Sequence, residues 1–237
     1  MLTRMNRAMT IPDMDIIDFH AHILPRADHG SSSTEVSITQ INLAKAVGIN
    51  RIVATPHFYP QQENLDTFIS RRNSSYRRLK ERFTEDYPEI KLGAEVLICD
   101  NIEQMPMLES LCIEGTKVLL IELPFLDFFD SYVYSVKSLV QSGYTVVIAH
   151  ADRYNPTDIE RLIRAGAYLQ LNADSLCRWI IPKHLKNWLN HRSVVALGSD
   201  IHGSDKKAYL RFKKAIKAIG DNITYIKDFS DSIWNYQ

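Results

Sequence analysis

Cysteine is scarce in this 237-residue chain: Cys99, Cys112 and Cys177 are widely spaced and form no CxxC pair. An odd, scattered set argues against a disulfide framework and fits a reducing compartment. None of the three opens a C-x5-R loop, because Met105, Val118 and Lys183 stand six positions further on. A thiolate nucleophile cradling an oxyanion is thereby excluded. Excess charge of either sign is also missing. Lys plus Arg and Asp plus Glu number 28 each, so no bulk field exists to hold a nucleic-acid backbone or an anionic membrane, and no nucleic-acid partner is expected. Long apolar runs are absent as well: Val118–Leu123 is interrupted by Glu122 and stopped by Pro124, far short of the ~20 residues of a membrane span. The first fourteen residues carry Arg4 and Arg7 but no apolar segment of the secretory kind, so a cytoplasmic location is expected. The Gly-rich, Lys-Ser/Thr signature of a P-loop does not occur.

A hydrophobic content of 45% with 24% charged residues rules out intrinsic disorder and supplies a sizeable interior. Short β-rich apolar runs alternate with longer stretches of helical period, the pattern of a parallel α/β sheet or barrel. Seven strands are expected, at 16–19, 51–55, 90–96, 117–123, 145–149, 167–171 and 194–198. Helices are expected at 34–47, 66–86, 102–111, 130–142, 157–165, 182–191 and 205–219. Gly48, Gly143, Gly166 and Gly220 fall where these helices should end. No linker or repeat interrupts the series, so residues 14–237 read as one domain behind a flexible extension, 1–13.

The chemistry collects at the strand ends. His20-Ala21-His22 follows the first strand, and two imidazoles at i and i+2 point the same way and can share a cation. Alone this motif is weak; its company is not. His57, Glu95, Glu122 and His150 stand at the C-terminal ends of later strands, Asp200 and His202 form a second i, i+2 pair after the seventh, and Asp28-His29 follows the first. In a closed parallel barrel these ends open on one face. Clustered carboxylates repel one another unless cations neutralise them. With Asp28 or His29 counted once, nine ligands are too many for one four-coordinate zinc and enough for two or three divalent ions. Imidazole and carboxylate without thiolate suit manganese first, with iron or zinc as alternatives. A water bridging such ions loses a proton near neutral pH and attacks phosphorus or a carbonyl, so hydrolysis is the expected reaction.

The motifs Ile-Asp-Phe-His20-Ala-His22-Ile-Leu-Pro, Asp28-His29-Gly30, Ala-Thr-Pro-His57, Gly-Ala-Glu95, Leu-Ile-Glu122, Ile-Ala-His150-Ala-Asp-Arg153-Tyr154, Gln-Leu-Asn172 and Ser-Asp200-Ile-His202 together resemble the PHP (polymerase and histidinol phosphatase) superfamily. Within it they are most similar to the capsule-biosynthesis protein-tyrosine phosphatases of the CpsB/YwqE type. The resemblance implies a distorted (β/α)7 TIM-like barrel, a trinuclear metal site, and dephosphorylation of the phosphotyrosine-bearing tail of a bacterial tyrosine kinase that controls capsule or exopolysaccharide synthesis. It further implies metal ligation by His20, His22, His57, Glu95, Glu122, His150, Asp200 and His202, with Glu95 bridging. Arg153 would grip phosphate, as its planar fork of donors allows; its bland alternative is an ion pair with Asp152 or Asp158. Catalysis would fall to Arg153, Glu95, His150 and Asp200. Two departures stand out. The family shows Asp-Asp-Gly where this chain has Asp28-His29-Gly30, leaving open whether Asp28 or His29 ligates. A second phosphate-binding arginine appears as Lys206 or Lys207, which keeps charge without the fork. The alternatives are a small-molecule phosphatase of the histidinol-phosphatase kind, or a non-catalytic barrel that binds a phosphorylated tail.

Two other features have bland readings. The basic stretch from Arg71 to Arg82 is expected to be a solvated helix face. The aromatic group Phe125, Phe128, Phe129, Tyr132 and Tyr134 reads as core or as a contact between copies of the chain, which allows a homo-oligomer; its functional alternative is a rim that holds a phosphotyrosine ring.

Overall fold

A computed structural model describes residues 17–125 and 127–235; the expected extension 1–13 lies outside the described residues. The elements follow in the order β1 (Ile17–Ala21), α1 (Thr34–Ala46), β2 (Arg51–Ala54), β3 (His57–Phe58), α2 (Leu65–Lys80), β4 (Glu89–Leu92), β5 (Glu95–Leu97), β6 (Val118–Glu122), α3 (Asp130–Gln141), β7 (Thr145–Ile148), α4 (Pro156–Arg164), β8 (Tyr168–Asn172), α5 (Lys183–Asn190), β9 (Val194–Gly198), α6 (Ala208–Ile219) and α7 (Ile223–Trp234). Every strand pair is parallel, in the orders β1-β2-β4 and β3-β5-β6-β7-β8-β9. The two sheets are one set of seven staves in which the second and third are each broken once. Pro56 has no N–H for the ladder, so β2 stops and restarts as β3. The third stave breaks at Gly93-Ala94, yet the Gly93 N–H still reaches Ala54 O and the Glu95 N–H reaches Pro56 O. On the other side, the Asp200 N–H donates to His20 O at 2.8 Å, joining the end of β9 to β1. The result is the expected distorted seven-stave α/β barrel.

Two apolar layers hold it. Ile17, Phe19, Val53, Leu120, Val147 and Ala196, from β1, β2, β6, β7 and β9, form one cluster with Ile233; side chains from strands so far apart in the sheet meet only inside the barrel. A larger cluster, including Phe68, Leu139, Leu162, Trp188 and Phe212, packs the helices on the outside. Helix α7 was not expected, although Ile226, Phe229 and Ile233 show a helical period. It lies at the N-terminal ends of the strands: Phe229 packs on Phe19 with centroids 6.2 Å apart, Asp231 accepts from Arg51, and the Trp234 indole donates to Glu89.

Four further expectations need correction. Residues 102–111 form two short 3-10 turns, Ile102–Gln104 and Leu108–Leu111, because Pro106 forces Met105 into an extended conformation (ψ 123°) and breaks the run. The helix expected over 66–86 ends at Lys80, and the one expected from 205 begins at Ala208, where the Asp205 carboxylate takes the Lys207 N–H. The basic stretch is not uniformly solvated: Arg72 is buried and donates to Gly93 O and Ser110 O, tying α2 to the break in the third stave.

Candidate metal centre

Each stave delivers a polar side chain to the C-terminal mouth: His20 and His22 from the first, His57 from β3, Glu95 from β5, Glu122 from β6, His150 just past β7, Gln170 and Asn172 from β8, and Asp200 past β9. In β1 the pairing register shifts between Asp18 and Ala21. Phe19 accordingly packs against α7, while His20, the next residue, reaches Gln170. Two glycines make room for these rings. A Cβ on Gly30 would sit 2.1 Å from the His22 Cβ, and one on Gly198 would sit 2.6 Å from both the His20 Cβ and the Gln170 amide nitrogen. His150 and Asp200 hold left-handed backbones (φ 31° and 49°), a strained choice for non-glycine residues that clusters at functional sites.

Glu95 is the centre. Its Oε2 lies 3.1 Å from His20 Nε2, 3.2 Å from His22 Nε2 and 3.0 Å from His57 Nδ1, and its Oε1 lies 2.7 Å from His150 Nε2. Glu122 Oε2 stands 3.5 Å from His57 Nδ1, and Asp200 Oδ1 3.4 Å from His22 Nε2. The outward nitrogens are tied down. His20 Nδ1 donates to Gln170 Oε1 at 3.0 Å, His22 Nδ1 to Asp28 Oδ2 at 2.6 Å, and His202 Nδ1 to the Asp200 carbonyl at 3.0 Å. Each of these three rings therefore turns its Nε2 lone pair inward, the arrangement that second-layer partners impose on metal-binding histidines. Several buried atoms lack a hydrogen-bond partner: His57 Nδ1, Glu95 Oε2, Glu122 Oε2 and His202 Nε2. Lone pairs so gathered and unsatisfied fit divalent cations. Three groups have ligand atoms all within 4.8 Å of one another: His20, His22 and Glu95; His57, Glu95 and Glu122; His22, His57 and His202.

Asp28 and His29 separate in role. The Asp28 carboxylate is occupied by His22 Nδ1, the Gly30 N–H and the His57 N–H. His29 stacks on His57 at 4.9 Å and on His202 at 4.7 Å. Arg153 pairs with neither Asp152 nor Asp158: its Nη2 lies 2.5 Å from Asp200 Oδ2, while Asp152 accepts the Asn172 N–H. Lys206 and Lys207 are exposed on the loop between His202 and α6, and among the described residues neither side chain forms an ion pair with the cluster. Sequence reasoning gave Gln170 and Asn172 no role. Gln170 Oε1 accepts from His20 and from the His150 N–H, its amide donates to Asn172, and Asn172 donates to Asp200 at 2.9 Å. The available signal was two polar residues on one face of a strand otherwise fully apolar.

Electrostatics match this geometry. Burial opposes charge on His57, but the Glu122 and Glu95 carboxylates that face its Nδ1 overcome it and hold its pKa at about 9. Burial likewise disfavours the Glu95 and Asp200 carboxylates, yet the surrounding histidines, and for Asp200 Arg153 also, keep both ionised well below their ordinary range. His202 is pushed down to about 4 by burial and by His22. Without cations, the His57 proton substitutes for part of their charge. Its stabilising contribution, on the order of 2–3 kcal/mol, is complete below about pH 6.5 and disappears as pH rises through 9. Chelated protein should therefore melt progressively lower from pH 6.5 to 9. Metal-loaded protein should change little, since a cation replaces that proton. Melting curves with and without chelator check this, and equal slopes would refute it.

The model of the family described as "Capsular polysaccharide synthesis, CpsB/CapC" matches residues 16–232. The chain belongs to the CpsB/CapC family. Among its CpsB/CapC relatives, the tyrosine-protein phosphatase YwqE of Bacillus subtilis is 33% identical over 179 residues, covering 72% of this chain and 69% of YwqE. The tyrosine-protein phosphatase CpsB of Streptococcus agalactiae is 24% identical over 204 residues, covering 80% and 84%. A solved structure from work on YwqE of B. subtilis and CpsB of Streptococcus pneumoniae, described there as metal-dependent tyrosine phosphatases, superposes with a TM-score of 0.77 at 23% identity, over 94% of this chain and 95% of the other. It shares the fold, as does, at TM-score 0.54, an inactive dihydroorotase-like domain from Chaetomium thermophilum. The CpsB/CapC match spans every stave and therefore the whole polar cluster.

Proposed function

We propose that this CpsB/CapC chain is a metal-dependent protein-tyrosine phosphatase acting on the phosphotyrosine-bearing tail of a bacterial tyrosine kinase in the cytoplasm. The observation that carries the reading is Glu95, whose two oxygens face four imidazoles while an arginine stands at the edge of the same cluster. We propose that His20, His22 and Glu95, with Asp200, would hold one cation and that His57, Glu95 and Glu122, with His150, would hold a second; His202 and His29 would offer nitrogens to a third, because His22, with Nδ1 tied to Asp28, has one lone pair to give. Asp28 then serves as the buttress of His22. Two or three divalent ions held there, with manganese first and iron or zinc as alternatives, would supply a water of near-neutral pKa and positive charge for the phosphoryl oxygens.

The protein's own groups supply the rest. Arg153 keeps Nη2 on Asp200 and offers its remaining donors to the phosphoryl group, countering the charge that grows in the transition state. Asp200 and Glu95 remain carboxylates at neutral pH and act as ligands or bases, not as proton donors. Gln170 and Asn172 fix the His20 tautomer and the Asp200 orientation. A phenol, with a pKa near ~10, leaves without a dedicated general acid. Lys207 or Lys206, on the loop beyond His202, would serve as a long-range positive charge for the approaching phosphate.

Chelated protein should be inert, and manganese should restore release of phosphate from a phosphotyrosine peptide in clear preference to histidinol phosphate. The reverse preference identifies the small-molecule phosphatase; full metal occupancy without turnover identifies the binding barrel.

A further inference from the structure

Beside Arg153, a cleft of about 220 Å3 opens between the loop after β6 and the turn after β7, lined by Pro124, Phe125, Phe128 and Tyr154. Phe125 is 67% exposed. A single exposed ring needs no explanation, but this one belongs to a series. Phe125 faces Tyr154 at 6.0 Å between centroids, and Tyr154 faces His150 at 5.6 Å, so aromatic surface runs without a gap from the ligand cluster into the cleft. The series is fixed in place. The Tyr154 hydroxyl donates to Leu123 O at 3.0 Å and accepts the Leu123 N–H at 3.1 Å, pinning the loop after β6 to the turn after β7. Asp127 and Asp158 also line it, together with Leu123, Asn155 and Arg153; their carboxylates suit the positive edge of an aromatic ring.

We infer that this cleft seats the aromatic ring of the substrate, and that Phe125 is the residue selecting aryl over alkyl phosphate esters. The inference rests on the phosphatase reading for where the phosphoryl group sits, at Arg153 and the ligand cluster. An aryl ester places its ring one oxygen atom away from phosphorus, against Pro124, Phe125 and Tyr154. A phosphoserine in the same position leaves the cleft unfilled.

The test pairs turnover with binding. In metal-loaded protein, Phe125→Ala lowers kcat/KM for a phosphotyrosine peptide about tenfold, mainly through KM, the size expected for one stacked aromatic contact. The same peptide carrying phosphoserine is unaffected, and Phe125→Tyr restores the preference. By calorimetry, a peptide with a non-hydrolysable aryl phosphonate binds the wild type more tightly than an alkyl phosphonate peptide, and Phe125→Ala removes the difference. If the wild type turns over neither ester yet shows that Phe125-dependent binding, the cleft stands and the phosphatase reading falls. Equal affinity for aryl and alkyl phosphonates, or a Phe125→Ala protein that discriminates as the wild type does, overturns the assignment.

Discussion

Glu95→Gln is expected to lose about a thousandfold or more in kcat while the barrel remains folded, a loss of about 4 kcal/mol of transition-state stabilisation. The amide has the same shape and still fits between four imidazoles, but it is neutral and cannot serve two cations at once. Two of the three ligand groups contain Glu95, so elemental analysis should show a deficit of metal in the variant. The histidines would respond too: with the carboxylate gone, burial of His20 and His57 is opposed by less negative charge, and both pKa values fall. Turnover within tenfold of the wild type at equal metal content would remove Glu95 from the centre of the mechanism.

The seven-stave pattern was legible because strands buried on both faces read as short apolar runs, and because ligands at their C-terminal ends must share the barrel mouth whatever the loops do. Nine positions scattered from His20 to His202 could be read together for that reason alone. The breaks in the staves were less legible. Glu95 belongs to a separate strand from Ile90, and His57 to a separate strand from Val53, because Pro56 and Gly93 interrupt the ladder without interrupting the apolar pattern. Arg72 shows the limit of reading charge as solvation: its buried guanidinium answers two backbone carbonyls far away in sequence. Gln170 marks the same limit for polar residues, since its value depends on where His20 and His150 end up. Arg153 was legible through the family resemblance, three residues beyond His150, but its partner Asp200 lies 47 positions away, beyond what local charge pairing reveals.

Arg153→Ala carries the second large expectation, a fall of about a hundredfold or more in kcat/KM for a phosphotyrosine peptide. Arg153→Lys should recover only part of this, because an ammonium cannot hold Asp200 and a phosphoryl oxygen through one planar fork. The side chain is 40% exposed, so neither substitution opens a cavity and melting temperatures should stay within a few degrees of the wild type. Metal content should also hold, which separates loss of phosphate grip from loss of cations. Unchanged kcat/KM in Arg153→Ala would reduce the arginine to a surface partner of Asp200.

The position of α7 has a consequence for the birth of the chain. Among the described residues, the helix furthest along the chain seals the floor beneath β1: Phe229 lies on Phe19, and Asp231 holds Arg51. While a ribosome still conceals residues 223–234, the lower interior of the barrel stays wet. Completion of this fold is thus deferred until translation has passed Trp234, and a nascent chain arrested upstream of that point presents an open-bottomed intermediate for chaperones to shelter.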